Sequence, residues 1–149
     1  MKIALGADHN GIEFKKLVTG HLEESGHVVV DVGPRSTESV DYPDYAFAVA
    51  EMVASGEVDR GILICGSGVG MSMAANKVRG VRAALCLTIE GARLARAHND
   101  ANVLTLAGWQ SGADDVLDIV DTFLKGEFDG GRHARRVDKI KAYEEGRKR

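Results

Sequence analysis

Five short apolar runs, each followed by a stretch of helical periodicity, predict an α/β fold: a doubly wound, Rossmann-like three-layer sandwich with a five-stranded parallel sheet and a C-terminal helical tail. Two further observations support it. Runs such as Val28-Val29-Val30 and Ile62-Leu63-Ile64 lack polar alternation, as strands covered on both faces do. The 149 residues suit one domain, 1–149, with enough chain to bury a proper core.

In chain order, Lys2 to Ala7 is read as extended and Gly11 to Ser25 as helical, then His27 to Val32 as extended and Pro43 to Ser55 as helical. Asp59 to Cys65 is a buried-strand run that breaks into a glycine-rich turn before a helix over Met71 to Val78. Val81 to Leu87 is extended, Ile89 to His98 helical, Ala101 to Leu106 extended and Ala113 to Leu124 helical. Each strand is a short apolar run, and each helix carries apolar residues at three-to-four spacing. Beyond Lys125, Gly126, Gly130 and Gly131 loosen the chain, and Val137, Ile140 and Tyr143 make a narrow apolar stripe in a charged tail. Residues 126–149 are expected to form a C-terminal extension that docks on a partner subunit.

The formal net charge of −3 gives no overall pull toward nucleic acid or membrane. The basic run of the tail is interrupted by Asp138, Glu144 and Glu145, which favours a solvated helix face with one or two specific anion contacts over a polynucleotide groove. Only two cysteines occur, Cys65 and Cys86, without the short spacing of a disulfide or zinc framework. The histidines His9, His21, His27, His98 and His133 show no paired ligand spacing, so no metal and no cofactor are expected. The opening MKIALGADH is too quickly polar for a signal peptide, and the expected location is the cytoplasm.

The most informative stretch is Cys65 to Met73, CGSGVGMSM, which puts a thiol where a buried strand meets a glycine-rich turn. In an open α/β sheet that edge binds ligands, and the N–H groups of Gly66, Ser67, Gly68, Val69 and Gly70 are placed to converge on an anion. The glycine spacing is not a dinucleotide fingerprint, because Met71 stands where a third glycine is needed, and no Gly-Lys-Ser/Thr triplet makes a Walker loop. A compact hole for a small phosphate or oxyanion remains. Cys65 beside these dipoles reads as a base or nucleophile, whereas Cys86 has no such loop and reads as core.

Asp8 and His9 end the first strand and so reach the same edge as Cys65; Asn10 is available to cap the following helix in place of Asp8. His98-Asn99-Asp100 follows a helix and precedes a strand, at the opposite edge. A strand of this length spans about 17 to 20 Å, so His98 joins Cys65 only if it comes from a second copy of the chain.

MKIALGADH, ESVDYPDYA, GILICGSGVGMSMAANK, GVRAALC, ARLARAHNDANVL and FDGGRHARRV together resemble the ribose-5-phosphate isomerase B family, which also contains galactose-6-phosphate and allose-6-phosphate isomerases. The resemblance implies a cytoplasmic, metal-free aldose–ketose isomerase of the pentose phosphate pathway. It acts on a small-molecule sugar phosphate through a cis-enediolate, as a homodimer or tetramer with active sites shared across the interface. By the same resemblance Cys65 is the catalytic base, His98 opens the furanose ring, Ser67 assists opening or orients the sugar, and Asp8 binds its hydroxyls. Amides of Gly66, Gly68, Val69 and Gly70 hold the enediolate oxygen. Arg132 and Arg136 anchor the phosphate, with His9, Tyr42 and Asn99 as further contacts. Many relatives have an arginine shortly after the NVL strand, where this chain has Trp109. That leaves a six-carbon sugar phosphate or a free sugar as the alternative substrate. A non-catalytic, phosphate-sensing module of flavodoxin-like architecture is the alternative of a different class.

Overall fold

The computed structural model describes residues 1–110 and 112–146. Its elements are β1 (Lys2–Ala7), α1 (Ile12–Glu24), β2 (Val28–Gly33), α2 (Tyr42–Ala54), β3 (Arg60–Cys65) and α3 (Val69–Ala75), followed by β4 (Ala83–Leu85), α4 (Ile89–Asn99), β5 (Val103–Ala107), α5 (Ala113–Lys125) and α6 (Arg132–Glu144). The strands form one parallel sheet in the order β2-β1-β3-β5-β4. The order in which strands are added runs outward from β1 in one direction and from β3 in the other, so right-handed crossovers send α1 and α4 to one face, where α5 packs beside them, and α2 and α3 to the other.

Each face has its own core. Ile62 and Ile64 of β3 join Leu22, Phe123 and Ile119 on the α1–α5–α4 side. Leu63 and Cys65 of the same strand join Val49, Ala50 and Met71 on the α2–α3 side. This two-sided burial is why the strands carry continuous apolar runs.

Two elements differ from the sequence expectation. Helix α3 starts at Val69, inside the glycine loop, so the loop is shorter than the sequence suggests. Strand β4 shrinks to Ala83–Leu85 because it has a neighbour on one side only. On its open side the Asn76 side chain takes both polar groups of Ala83, donating to its carbonyl at 2.8 Å and accepting its N–H at 2.9 Å.

The tail folds as α6 against α4 of its own chain, with Val137 and His133 buried between them. Ile140 is half-buried and lines a cavity with Val81, Ala83 and Ala101, while Tyr143 stands out at 86% exposure. Among the described residues no helix is long and apolar enough to cross a membrane.

The turn from α4 into β5 is held by charge. Asp100 caps α4 in the left-handed conformation, at φ 46°. Its carboxylate accepts from Arg96 Nη1 at 2.8 Å and from Arg82 Nη2 at 2.9 Å, and the buried Arg96 guanidinium also reaches the carbonyls of Ala101 and Gly126. Replacing Asp100 by Ala leaves a buried guanidinium without its counter-charge. The expected loss is about 2 kcal/mol, discounted for the partial exposure of the carboxylate and measured by equilibrium urea unfolding.

Candidate active site

Strand register decides which groups meet at the carboxyl edge. Ala7 pairs with Ile64, and Cys65 pairs with Ala107, so β1, β3 and β5 end level. Asp8, Gly66 and Gly108 are therefore neighbours, tied by the Asp8 N–H to the Ile64 carbonyl at 3.0 Å and the Gly108 N–H to the Cys65 carbonyl at 2.8 Å.

Cys65 is 4% exposed, and its sulfur accepts the Gly68 N–H at 3.1 Å, which sets a partial positive charge against it. Gly68 can aim its N–H this way only at φ +74°, a left-handed conformation open to glycine, and a β-carbon there would stand 2.5 Å from Leu85. The Val69 N–H turns to Ser67 Oγ at 3.3 Å. Two of the five amides expected to face a ligand are thus used within the loop. Those of Gly66, Ser67 and Gly70 donate to no other described residue, as first-turn and pre-helical amides commonly do not.

Aromatic rings flank the loop on both sides. The Trp109 indole lies on Gly66, where a β-carbon would come within 2.5 Å of it, and the Tyr42 ring lies on Gly70, at 2.6 Å by the same measure. Both glycines are required by these close approaches. Tyr42 is the first residue of α2, and the segment before it is anchored by the buried Lys15, whose ammonium binds Asp31 at 2.6 Å and the Pro34 carbonyl at 2.7 Å. From that segment the Val40 N–H donates to His9 Nδ1 at 3.3 Å, holding the ring beside the cleft.

No side chain caps α1, whose N-cap is Gly11, so Asn10 does not take the capping role it was available for; Asp8 closes the turn before the helix. Its Oδ1 accepts the N–H of Asn10 at 2.8 Å and of Gly11 at 3.1 Å, while Asn10 turns its amide back toward Asp8 and His9. Only Asp8 Oδ2 is left with a long contact, 3.5 Å to that amide, and it alone can meet a ligand.

The remaining predicted residues gather at the other edge. Arg60 opens β3 within the field of Arg96 and Asp100, while Cys65 closes the strand, so roughly 17 Å of sheet separates the two groups. The structure does not bring His98, Asn99, Arg132 and Arg136 to Cys65 within one chain. There His98 stacks on His133 with ring centroids 4.0 Å apart and planes 6° from parallel. Asp129 lies 4.0 Å from His98 Nε2. Arg132 and Arg136 are exposed, share one face of α6 and form no ion pair with a described residue. The first turn of α6 contains no acid, so basic side chains crowd the positive end of a helix dipole.

His98, Asp129 and His133 offer ligand atoms within 4.8 Å of one another. The guanidiniums of Arg132 and Arg136 act on His133 electrostatically, adding positive charge to this corner. The donor set therefore suits an anion better than a dication. Sequence reasoning did not single out His133 or Asp129, since their partnership with His98 exists only once α6 packs on α4. Trp109 was visible as a departure, but its place over Gly66 follows from sheet register.

Burial pushes the Cys86 thiol up to about 11, in keeping with its reading as core. Iodoacetamide at pH 8 is expected to leave Cys86 unmodified until the protein unfolds, as read by mass spectrometry. Gly68→Ala should cost about 1 to 3 kcal/mol in urea unfolding and change the alkylation rate of Cys65. Burial first, then His98, Arg132 and Arg136, hold His133 below its usual range. Since its folded form binds the proton less tightly than the unfolded one, it adds stability above the usual histidine range and loses it as pH falls through the lowered value. The urea midpoint of the wild type should therefore drop more between pH 7 and 5 than that of His133→Gln.

The family model described as ribose/galactose isomerase matches residues 3–140. Ribose-5-phosphate isomerase B of Escherichia coli is 49% identical over 146 residues, covering 98% of each chain. The ribose-5-phosphate isomerase B structure from Clostridium thermocellum is 53% identical, with a TM-score of 0.97 over 99% of this chain and 100% of the other. That from Mycoplasma genitalium, with bound ribulose-5-phosphate, is 49% identical, with a TM-score of 0.94 over 97% and 96%. A thiol among free amides at one edge and a basic, histidine-bearing corner at the other are thus carried by a chain that belongs to the ribose/galactose isomerase family.

Proposed function

We propose that this isomerase interconverts ribose 5-phosphate and ribulose 5-phosphate through a cis-enediolate, without metal, at sites that two copies of the chain build together. One observation carries the reading. A sulfur beside three free amides lies a strand's length from two unpaired guanidiniums and a histidine, and each cluster is half of what the reaction needs. The bound ribulose-5-phosphate of the Mycoplasma genitalium relative supports the substrate.

In one chain the site offers Asp8, His9, Tyr42, Cys65, Ser67 and the loop amides; the second chain adds His98, Asn99, Arg132 and Arg136. Arg132 and Arg136 present guanidinium forks to the phosphate and offset the repulsion at the start of α6. His98 moves the proton that opens the furanose ring. The Cys65 thiolate then takes the C2 proton of the open aldose, forming S–H while the C2 electrons make the C1–C2 double bond. The amides of Gly66, Ser67 and Gly70 receive the oxyanion. The proton on O2 passes to O1 as the C2 carbonyl forms, and the same thiol returns its proton to C1, which leaves Cys65 as it began. Asp8 Oδ2 and the Ser67 hydroxyl orient the sugar hydroxyls.

A two-fold dimer gives two such sites, and the exposed face of α6 around Tyr143 is the docking surface proposed for the tail. Cys65→Ala should abolish isomerisation while sugar-phosphate binding stays within about threefold, the dimer alone having lost its base. Mixing inactive Cys65→Ala chains with inactive His98→Ala chains should restore activity, because a hybrid dimer holds one intact site. No recovery in proven hybrids, or no deuterium uptake from solvent into ribose 5-phosphate by the wild type, would sink the reading. Dialysis against chelator should leave the rate unchanged. The family description also covers galactose-type substrates, so kcat/KM on allose 6-phosphate against ribose 5-phosphate separates the six-carbon reading.

A further inference from the structure

Trp109 is used by no step above, yet its ring lies directly on Gly66, the residue that follows the sulfur-bearing Cys65. It is 71% exposed, but it is not loosely held. Its N–H donates to the Gly66 carbonyl at 2.9 Å, one residue after the Gly108 N–H bonds the Cys65 carbonyl. Its indole rests on Gly66 so closely that a β-carbon there would strike the ring at 2.5 Å. The indole N–H has no partner among the described residues. An uncharged, flat and anchored face beside the site of proton transfer is what the carbon end of an aldose presents its C–H bonds to, while its hydroxyls need donors such as the indole N–H.

We propose that Trp109 is a sugar-stacking platform: its indole face takes the C1–C3 portion of the open-chain substrate, apart from the phosphate anchor, and so acts as a specificity-determining residue of this chain. The idea rests on the isomerase reading above for which part of the sugar lies at Cys65. Since the contact is made with carbon and not with phosphate, it contributes to phosphorylated and free sugars alike. Arg132, by contrast, matters only where a phosphate is present.

The chain has one tryptophan, so its fluorescence reports this position alone. In the Cys65→Ala protein, which binds without turnover, ribose 5-phosphate should shift or quench the emission, and free ribose should do the same at higher concentration. Inorganic phosphate should leave it unchanged. In the wild-type background, Trp109→Ala should lower kcat/KM on ribose 5-phosphate about tenfold, with Trp109→Phe within about threefold of wild type, as stacking predicts. The ring is exposed, so both variants should keep the wild-type urea midpoint and assembled mass. Emission unmoved at concentrations that saturate wild-type activity, an equal response to inorganic phosphate, or a changed assembled mass in Trp109→Ala would overturn the platform. Absence of wild-type isomerisation on ribose 5-phosphate would instead reject the reaction, and the response of the emission to ribose would still decide the platform.

Discussion

The pairing of Ala7 with Ile64 and of Cys65 with Ala107 governs everything at the carboxyl edge. In a parallel ladder a slip of one residue exchanges the faces of every side chain, and here both faces are buried in separate cores. Register therefore cannot drift without forcing Ile62 and Ile64 into the core shaped for Leu63 and Cys65, and the reverse. Because the three strands end level, the loops that follow them are forced into contact, and a thiol, a carboxylate and an indole arrive together from distant points in the sequence. Core packing and site geometry are consequences of one constraint.

The two edges of the sheet handle charge in different ways. At the amino-terminal edge, Arg82 and Arg96 donate to the Asp100 carboxylate and to nearby carbonyls, so these arginines are spent on structure. On α6, Arg132 and Arg136 form no ion pair with a described residue. The contrast between satisfied and unsatisfied guanidiniums separates the groups that hold the corner from those proposed to meet the phosphate. At the carboxyl edge the same logic runs in amides: those of Gly68 and Val69 are committed, those of Gly66, Ser67 and Gly70 are not.

Much of this was legible in the residues themselves. Continuous apolar runs identified a sheet covered on both faces, and the break from Ile64 and Cys65 into glycine located the loop, because these are local patterns with a direct physical cause. The separation of His98 from Cys65 was also readable, since it follows from strand direction and length. What escaped was whatever depends on packing between remote segments. The stacking of His98 on His133 needs α6 on α4, the hold of Asp8 on Asn10 and Gly11 depends on how the chain turns after β1, and the ring of Trp109 reaches Gly66 only through pairing of β3 with β5. The early start of α3 was hidden because Gly68 looks like loop until its left-handed φ is seen to initiate the helix.

Basic residues at the start of α6 work against the helix that carries them. With Arg132, His133 and Arg136 at the dipole's positive end and no acid in the first turn, that end is electrostatically loaded in the absence of a counterion. A bound anion is then more than a passenger, for it discharges the load and tightens the hold of the last helix on α4. Occupancy of the basic corner and firmness of the carboxyl-terminal segment become linked quantities, each raising the other.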